Sequence, residues 1–160
     1  MDWAAFTAAC PEIATLGDER LRGRELCLLG TLRRDGSPRI SPCEPDFAAG
    51  RLLIGMMWQS RKALDLLRDP RYVIHSCVAK RSGEEGDFKL YGRAASVADP
   101  ELRTLYCDTI RARIDWAPDE PNFHLFEFDI DAAGFVIFGK ESYGLAWNPA
   151  SGLRRWPIAG

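Results

Sequence analysis

Short apolar runs, alternating or continuous, recur along most of the chain, and helical spacing appears in four places. The first two helices are N-terminal. Asp2 precedes WAAFTAA as a cap, and Pro11 suits the first turn of PEIATLGDERLRG. In that second stretch Ile13 and Leu16 share a face, and Gly23 is placed to end the helix. ELCLLGTL (25–32) then reads as a buried strand. RRDGSP follows, with Asp35-Gly36 as a hairpin signal, because Gly tolerates positive φ. RISPCEPDF is the return strand. Pro42 and Pro45 have no amide hydrogen to donate, which predicts an edge or a bulge. FAAGR turns the chain into LLIGMMW, so the first three strands read as a meander.

A helix over 61–68 comes next, closed by Asp69-Pro70, then a strand in YVIHSCVA. FKLYGRAASV sets Phe88, Leu90 and Gly92 against Lys89, Tyr91 and Arg93, which predicts one wet face. DPELRTLYCDTIRARI carries the clearest helix start, with Asp99 as cap and Pro100 at the first position. FHLFEFDI, AAGFVIFGK and YGLAWNP supply the last strands. Long alternation of strand and helix is missing, which argues against a doubly wound sheet. The expected fold is mainly β with peripheral helices: six or seven antiparallel strands in a small closed or split barrel with Greek-key connections. Residues 1–160 read as one domain, with 1–23 as helices packed on the barrel.

Charge narrows the function. With 21 basic and 23 acidic residues the formal charge is −2, which argues against nucleic-acid binding by bulk attraction. The five cysteines are widely spaced, with no CxxC pair, and fit free thiols of a reducing cytoplasm. The opening MDWAAF has neither a basic nor an apolar leader segment, and no apolar run is long enough to span a membrane. The two histidines, His75 and His124, have no metal-ligand spacing, so no metal site is expected. GFVIFGKES imitates a phosphate loop, but Glu141 stands where a hydroxyl is required and Phe135 to Phe138 read as strand.

The stretch MWQSRKALDLLRDP holds the one oddity. Arg61 and Lys62 sit at the positive end of a helix dipole, where carboxylates are favoured. With Ser60 as cap they make either a phosphate cradle or a solvated basic turn. Arg39 on the second strand is placed to reach the same anion, or is an exposed edge residue. Met56, Met57 and Trp58 are either core or the wall of a site for a flat ring. Near the chain end, Trp147 and Trp156 bracket Arg154 and Arg155, as a docked tail or as a partner-facing edge.

The order of these motifs resembles the pyridoxamine 5′-phosphate oxidase-like family of flavin-binding split barrels. The likeness is carried by LGTL, RRDGSPRISP, GRLLIGMMWQSRKALDLLRDPRYVIHS and FKLYGRA, from about Leu26 to Asp108. The resemblance implies a six-stranded split barrel and a homodimer with two cofactor sites at its interface. It implies FMN as cofactor, or the deazaflavin F420 on the same fold, or a non-enzymatic flavin- or haem-binding module. The strand matching Arg39, Ile40, Ser41 and Pro42 would run beside the flavin, and the strand matching Gly55 and Met56 would touch the ring or ribityl chain. Ser60, Arg61 and Lys62 would hold the phosphate, and Trp147 would approach the ring from the other subunit. The expected activity is hydride transfer through the flavin to a small molecule. No side chain stands out as acid or base. Arg154 and Arg155 have no accompanying His, so pyridoxamine phosphate is not the expected substrate.

Overall fold

The computed structural model describes residues 1–140 and 142–158; Glu141, the residue that spoils the phosphate-loop imitation, lies outside them. Helix α1 (Trp3–Ala9) is capped by Asp2, whose side chain accepts from the Ala5 amide at 2.8 Å. Helix α2 (Pro11–Arg24) starts on its proline and ends on Glu25 at φ 54°, two residues past the expected Gly23. Both helices lie on the barrel. Phe6, Ile13 and Leu21 are fully buried in the main core, and the Phe88 ring packs where a side chain on Gly17 would stand.

Nine strands form one antiparallel sheet among the described residues. They are β1 (Cys27–Leu32), β2 (Pro38–Cys43), β3 (Asp46–Ala48), β4 (Arg51–Met57), β5 (Arg71–Ser76), β6 (Asp87–Ser96), β7 (Phe123–Ile137), β8 (Tyr143–Asn148) and β9 (Gly152–Pro157). Helix α3 (Arg61–Arg68) joins β4 to β5, and α4 (Pro100–Ile114) joins β6 to β7. The hydrogen-bonded order is β2-β1-β5-β6-β7-β4-β3, with β8 on β7 and β9 on β8. β2 is an edge, as its prolines require.

The expected meander is not formed. β4 pairs with β3 and β7, and Ile54 lies opposite Phe126, while β2 pairs with β1 alone. A strand's local pattern records which side is apolar but not which partner it meets. The two strands expected in FHLFEFDI and AAGFVIFGK are one, β7, of 15 residues. A register shift opposite Tyr91/Gly92 of β6 carries the polar residues Asp129 and Asp131 along without ending the strand.

One sheet face closes on a core that includes Leu29, Ile54, Ile74, Leu90, Phe126 and Phe128. The other face of β4 and β7 is covered by α4, where Leu53, Phe123 and Leu125 meet Leu102, Tyr106 and Ile110. Burial from both sides explains why the first four residues of β7 are all buried. Among the described residues no strand pairing joins β2 to β4, and that seam positions the site. No helix among the described residues is long and apolar enough to cross a membrane.

Candidate functional site

The N-terminus of α3 stands beside this seam. Ala63 and Leu66 pin the helix to the core, and the turn before it is fixed from β7. Gln59 takes φ 57° and donates its amide hydrogen to His124 Nε2 at 3.2 Å. The Trp58 ring stacks on His124, with centroids 4.5 Å apart. Ser60 then holds extended backbone as the cap, but its Oγ is buried without a hydrogen-bond partner among the described residues. The first-turn amides of Arg61, Lys62 and Ala63 also have no acceptor among the described residues. Orphaned donors at a helix start favour an anion through direct hydrogen bonds and through the helix dipole.

The two cations flanking this start face opposite ways. Arg61 opens onto a cleft of about 730 Å³ shared with Arg33, Arg34, Arg39, Arg68, Asp35 and Asp65. Asp65 is the buried hub of that cleft. One of its oxygens accepts from Arg39 Nε at 2.6 Å and from Thr31 Oγ1 at 3.0 Å, and the other from Arg68 at 3.3 Å. Asp35 accepts from Ser37 in the hairpin turn. Among the described residues Arg33, Arg34 and Arg61 pair with no carboxylate, so the cleft holds a clear excess of positive charge. Lys62 turns the other way. Its Nζ donates to the Pro42 carbonyl at 2.8 Å and lies 3.3 Å from Cys43 Sγ. Neither partner carries a formal negative charge as a neutral carbonyl and thiol.

On the Lys62 side lies a cavity of about 550 Å³, mostly apolar. Pro42, Cys43 and Glu44 bound it at the end of β2, and Gly55, Met56 and Met57 bound it along β4. Tyr106 and Ile110 of α4 and Trp116, Pro118 and Asn122 of the following loop complete it. Gly55 is needed here, because a side chain at this position would meet the Tyr106 hydroxyl at 2.3 Å. That hydroxyl accepts the Gly55 amide hydrogen at 2.8 Å, and burial, with Asp46 adding to it, pushes the phenol well above its ordinary range. Tyr106 therefore stays neutral and remains a hydrogen-bond donor toward the cavity.

The sequence candidates divide accordingly. Pro42, Gly55, Met56 and Lys62 line the cavity, whereas Arg39 and Arg61 line the cleft. Ser41 is half-buried on the inward side of β2, and Ile40 is 71% exposed on its outer side. Met57 and Trp58 are also exposed, so neither is core. Trp147 belongs to neither opening. It is 4% exposed, with its ring 5.1 Å from Phe6 in the main core, and so is removed from any surface a partner could reach. Tyr106, Ile110 and Trp116 were missed. Tyr106 and Ile110 sit on the apolar stripe of α4, which reads as ordinary packing, and only the missing side chain at Gly55 hints at a gap beneath it.

His124 gives this corner a pH dependence. Burial, with Arg103 nearby, holds its imidazole below the ordinary value. The neutral ring accepts the Gln59 amide hydrogen; a protonated ring has no free lone pair on Nε2 to accept it. The folded value lies below the unfolded one, so the folded state binds fewer protons. Stability is then fully present above about pH 6.5 and declines as pH falls below it. Thermal melts between pH 7.5 and 5 are expected to fall more steeply for the native chain than for His124→Phe, which keeps the stacking ring and cannot titrate. Parallel slopes would remove His124 as the cause.

Residues 17–137 match the family model described as pyridoxamine 5′-phosphate oxidase. A pyridoxamine 5′-phosphate oxidase-related, FMN-binding protein from Nostoc punctiforme has a similar structure, with TM-score 0.65 and 17% identity over 94% of this chain and 96% of that one. HutZ, the haem storage protein from Vibrio cholerae, gives TM-score 0.63 and 20% identity over 81% and 94%. A protein of the pyridoxinephosphate oxidase family related to general stress protein 26, from Clostridium acetobutylicum, gives 0.59 and 13% over 92% and 96%. At these identities the neighbours show a shared fold. No curated protein matches the chain.

Proposed function

We propose a flavin-dependent function from one premise: the chain belongs to the pyridoxamine 5′-phosphate oxidase family. On this reading it is an FMN-dependent oxidoreductase acting on a small molecule. The observation that carries it is the α3 start, where a buried Ser60 hydroxyl, three free amides and the cations Arg61 and Lys62 have no counter-anion among the described residues, beside a mostly apolar cavity of about 550 Å³. A flavin phosphate supplies the missing charge, and the cavity suits a flat ring between Pro42, Gly55 and Met56. Bound flavin contributes hydride transfer. The chain's own residues bind and orient it: Ser60, Arg61 and Lys62 at the phosphate, Arg39 fixed by Asp65 at the border of the cleft, and Tyr106 as a neutral donor on the cavity wall. Met56, Ile110 and Phe123 exclude water from the ring.

The partner on this reading is a second copy of the chain. The outer face of β1, β2, β5 and β6 presents Leu28, Ile40 and Tyr91, each more than a third exposed, around the cross-strand pair Gly30 and Ile40. Apolar side chains standing together on one sheet face favour a docked surface. Ile40 and Pro42 of that face lie on the strand that borders the cavity, so a docked copy would stand beside the cofactor.

F420 on the same fold is the rival cofactor, and the arginine-rich cleft is the observation that favours it, since its excess positive charge exceeds what one phosphate requires. A haem-binding reading has less support, because neither His75 nor His124 lines the cavity. The absorbance spectrum of the purified chain, with mass spectrometry of the molecule it releases, tests all three. FMN gives two bands, in the near-ultraviolet and the blue; F420 gives one main band at the visible edge; haem gives an intense Soret band. A chain that purifies colourless and takes up no FMN on titration would overturn the reading.

A further inference from the structure

The seam also holds two thiols. Cys27 at the start of β1 and Cys43 at the end of β2 are direct partners in the strand register. Residues directly opposite in an antiparallel pair point to the same face, with Cα atoms roughly 4.5–5.5 Å apart. That separation falls inside the roughly 4.4–6.8 Å that a disulfide spans. Both side chains are buried on the inner face, at 0% and 5% exposure. The other cysteines are placed differently. Cys77 follows Ser76, the β5 partner of Cys27, but stands outside the strand ladder, only half-buried, and acts on the Cys27 thiol through its charge alone. Cys10 lies between α1 and α2, and Cys107 lies on α4 facing the Pro118 carbonyl.

Cys43 is the more approachable of the pair. It lines the 550 Å³ cavity, which opens a path for a small oxidant, and the Lys62 ammonium stands 3.3 Å from its sulfur. A cation at that distance stabilises the thiolate, the reactive form. Burial holds both thiols above their ordinary value; the Lys62 charge offsets part of this at each, and at Cys43 its hydrogen bond offsets more. Cys27 has no such hydrogen bond among the described residues.

We propose that Cys43 and Cys27 form a peroxide-reactive thiol pair in the wall of the cavity, with Cys43 attacked first and Cys27 resolving it. The Cys43 thiolate attacks hydrogen peroxide, an S–O bond forms, the O–O bond breaks, and the hydroxide that leaves takes up the proton the Cys43 thiol gave up and departs as water. The Cys27 sulfur then attacks the Cys43 sulfur, the S–O bond breaks, a second water leaves and the S–S bond closes. Two thiols lose two protons and two electrons, and one peroxide becomes two waters. The bridge ties the edge strand β2 to β1 and removes the thiol that Lys62 touches. The pair rests on strand register and contacts, so it does not depend on which cofactor the cavity takes.

The test uses the full chain. Protein treated with a few equivalents of peroxide is quenched with catalase, denatured in iodoacetamide without reductant, digested and mapped by mass spectrometry. The native chain is expected to lose two of its five alkylatable thiols together. They should appear as a linked Cys27–Cys43 peptide that dithiothreitol reverses. Cys27→Ser is expected to stop at a sulfenic acid on Cys43, captured by dimedone, and Cys43→Ser to leave Cys27 alkylatable. Full alkylation of both cysteines in the treated native chain would overturn the proposal. So would bridging of either to Cys10, Cys77 or Cys107, or dimedone capture at Cys27 before Cys43.

Discussion

Asp65→Ala is expected to lower the unfolding free energy by about 2–4 kcal/mol, measured by urea denaturation at pH 7. Asp65 has a 6% exposed side chain and receives hydrogen bonds from three elements: Thr31 of β1, Arg39 of β2 and Arg68 of its own helix. Removing it leaves the Thr31 hydroxyl, on a residue 3% exposed, without an acceptor. It also leaves the Arg39 and Arg68 guanidiniums without that counter-charge. These are 24% and 37% exposed, so water recovers part of the loss, which keeps the expected cost below that of a fully buried pair. Asp65→Asn keeps an acceptor for Thr31 but loses the charge, and should fall between the two. Burial works to raise the Asp65 carboxyl, but the hydrogen bonds from Arg39, Thr31 and Arg68 outweigh it and hold the carboxyl below its ordinary value. Stability from this hub is therefore present above about pH 4 and lost as pH falls through the folded value. The gap between native chain and Asp65→Asn should narrow at that acid end. A gap that stays constant down to pH 2 would show that packing, not charge, carries the effect.

This hub also marks what the sequence could and could not disclose. Nothing in the sequence singles out Asp65 in ALDLL, because a carboxylate's burial is legible only once its partners are known. Two of those partners come from β1 and β2, which precede it by 34 and 26 residues. Local features were readable. Asp2 and Asp99 cap the helices they precede, Gly36 takes φ 82° in the hairpin, and α3 runs from Arg61 to Arg68 as its flanks require. Each of these depends on contacts within a few residues. The seam was not readable, since it exists because β4 leaves β2 and joins β7. The resemblance sets Gly55 and Met56 beside a ring, but nothing in their own stretch of chain points to Tyr106, which meets them from α4. Trp147 shows the reverse failure: an aromatic near a chain end resembles an interface anchor until Phe6 from α1 is seen against it.

The double variant Arg61→Ala/Lys62→Ala is expected to weaken FMN binding by about 2–4 kcal/mol, or about 30- to 1,000-fold in Kd, in a fluorescence titration. The two cations stand on either side of one helix start, so the single variants should separate by ligand. Riboflavin carries the same ring without the phosphate. Arg61 opens onto the arginine cleft and away from the cavity, so Arg61→Ala should weaken FMN and leave riboflavin nearly unchanged. Lys62 lines the cavity, with its ammonium at the Pro42 carbonyl, so Lys62→Ala should weaken both. Salt supplies an independent reading. Arg61 is exposed, so its contribution should shrink as ionic strength rises, whereas the more enclosed Lys62 should be less sensitive. Far-ultraviolet circular dichroism and melts of each variant separate lost binding from lost folding. FMN affinity unchanged in a folded double variant would remove the α3 start from the cofactor site. Equal losses of FMN and riboflavin in Arg61→Ala would place the phosphate elsewhere and leave Arg61 a role at the ring. The proposed function therefore turns on the difference between two ligands that differ by a single phosphate, because the orphaned Ser60 hydroxyl and the free amides beside it, at the positive end of a helix, suit an anion best.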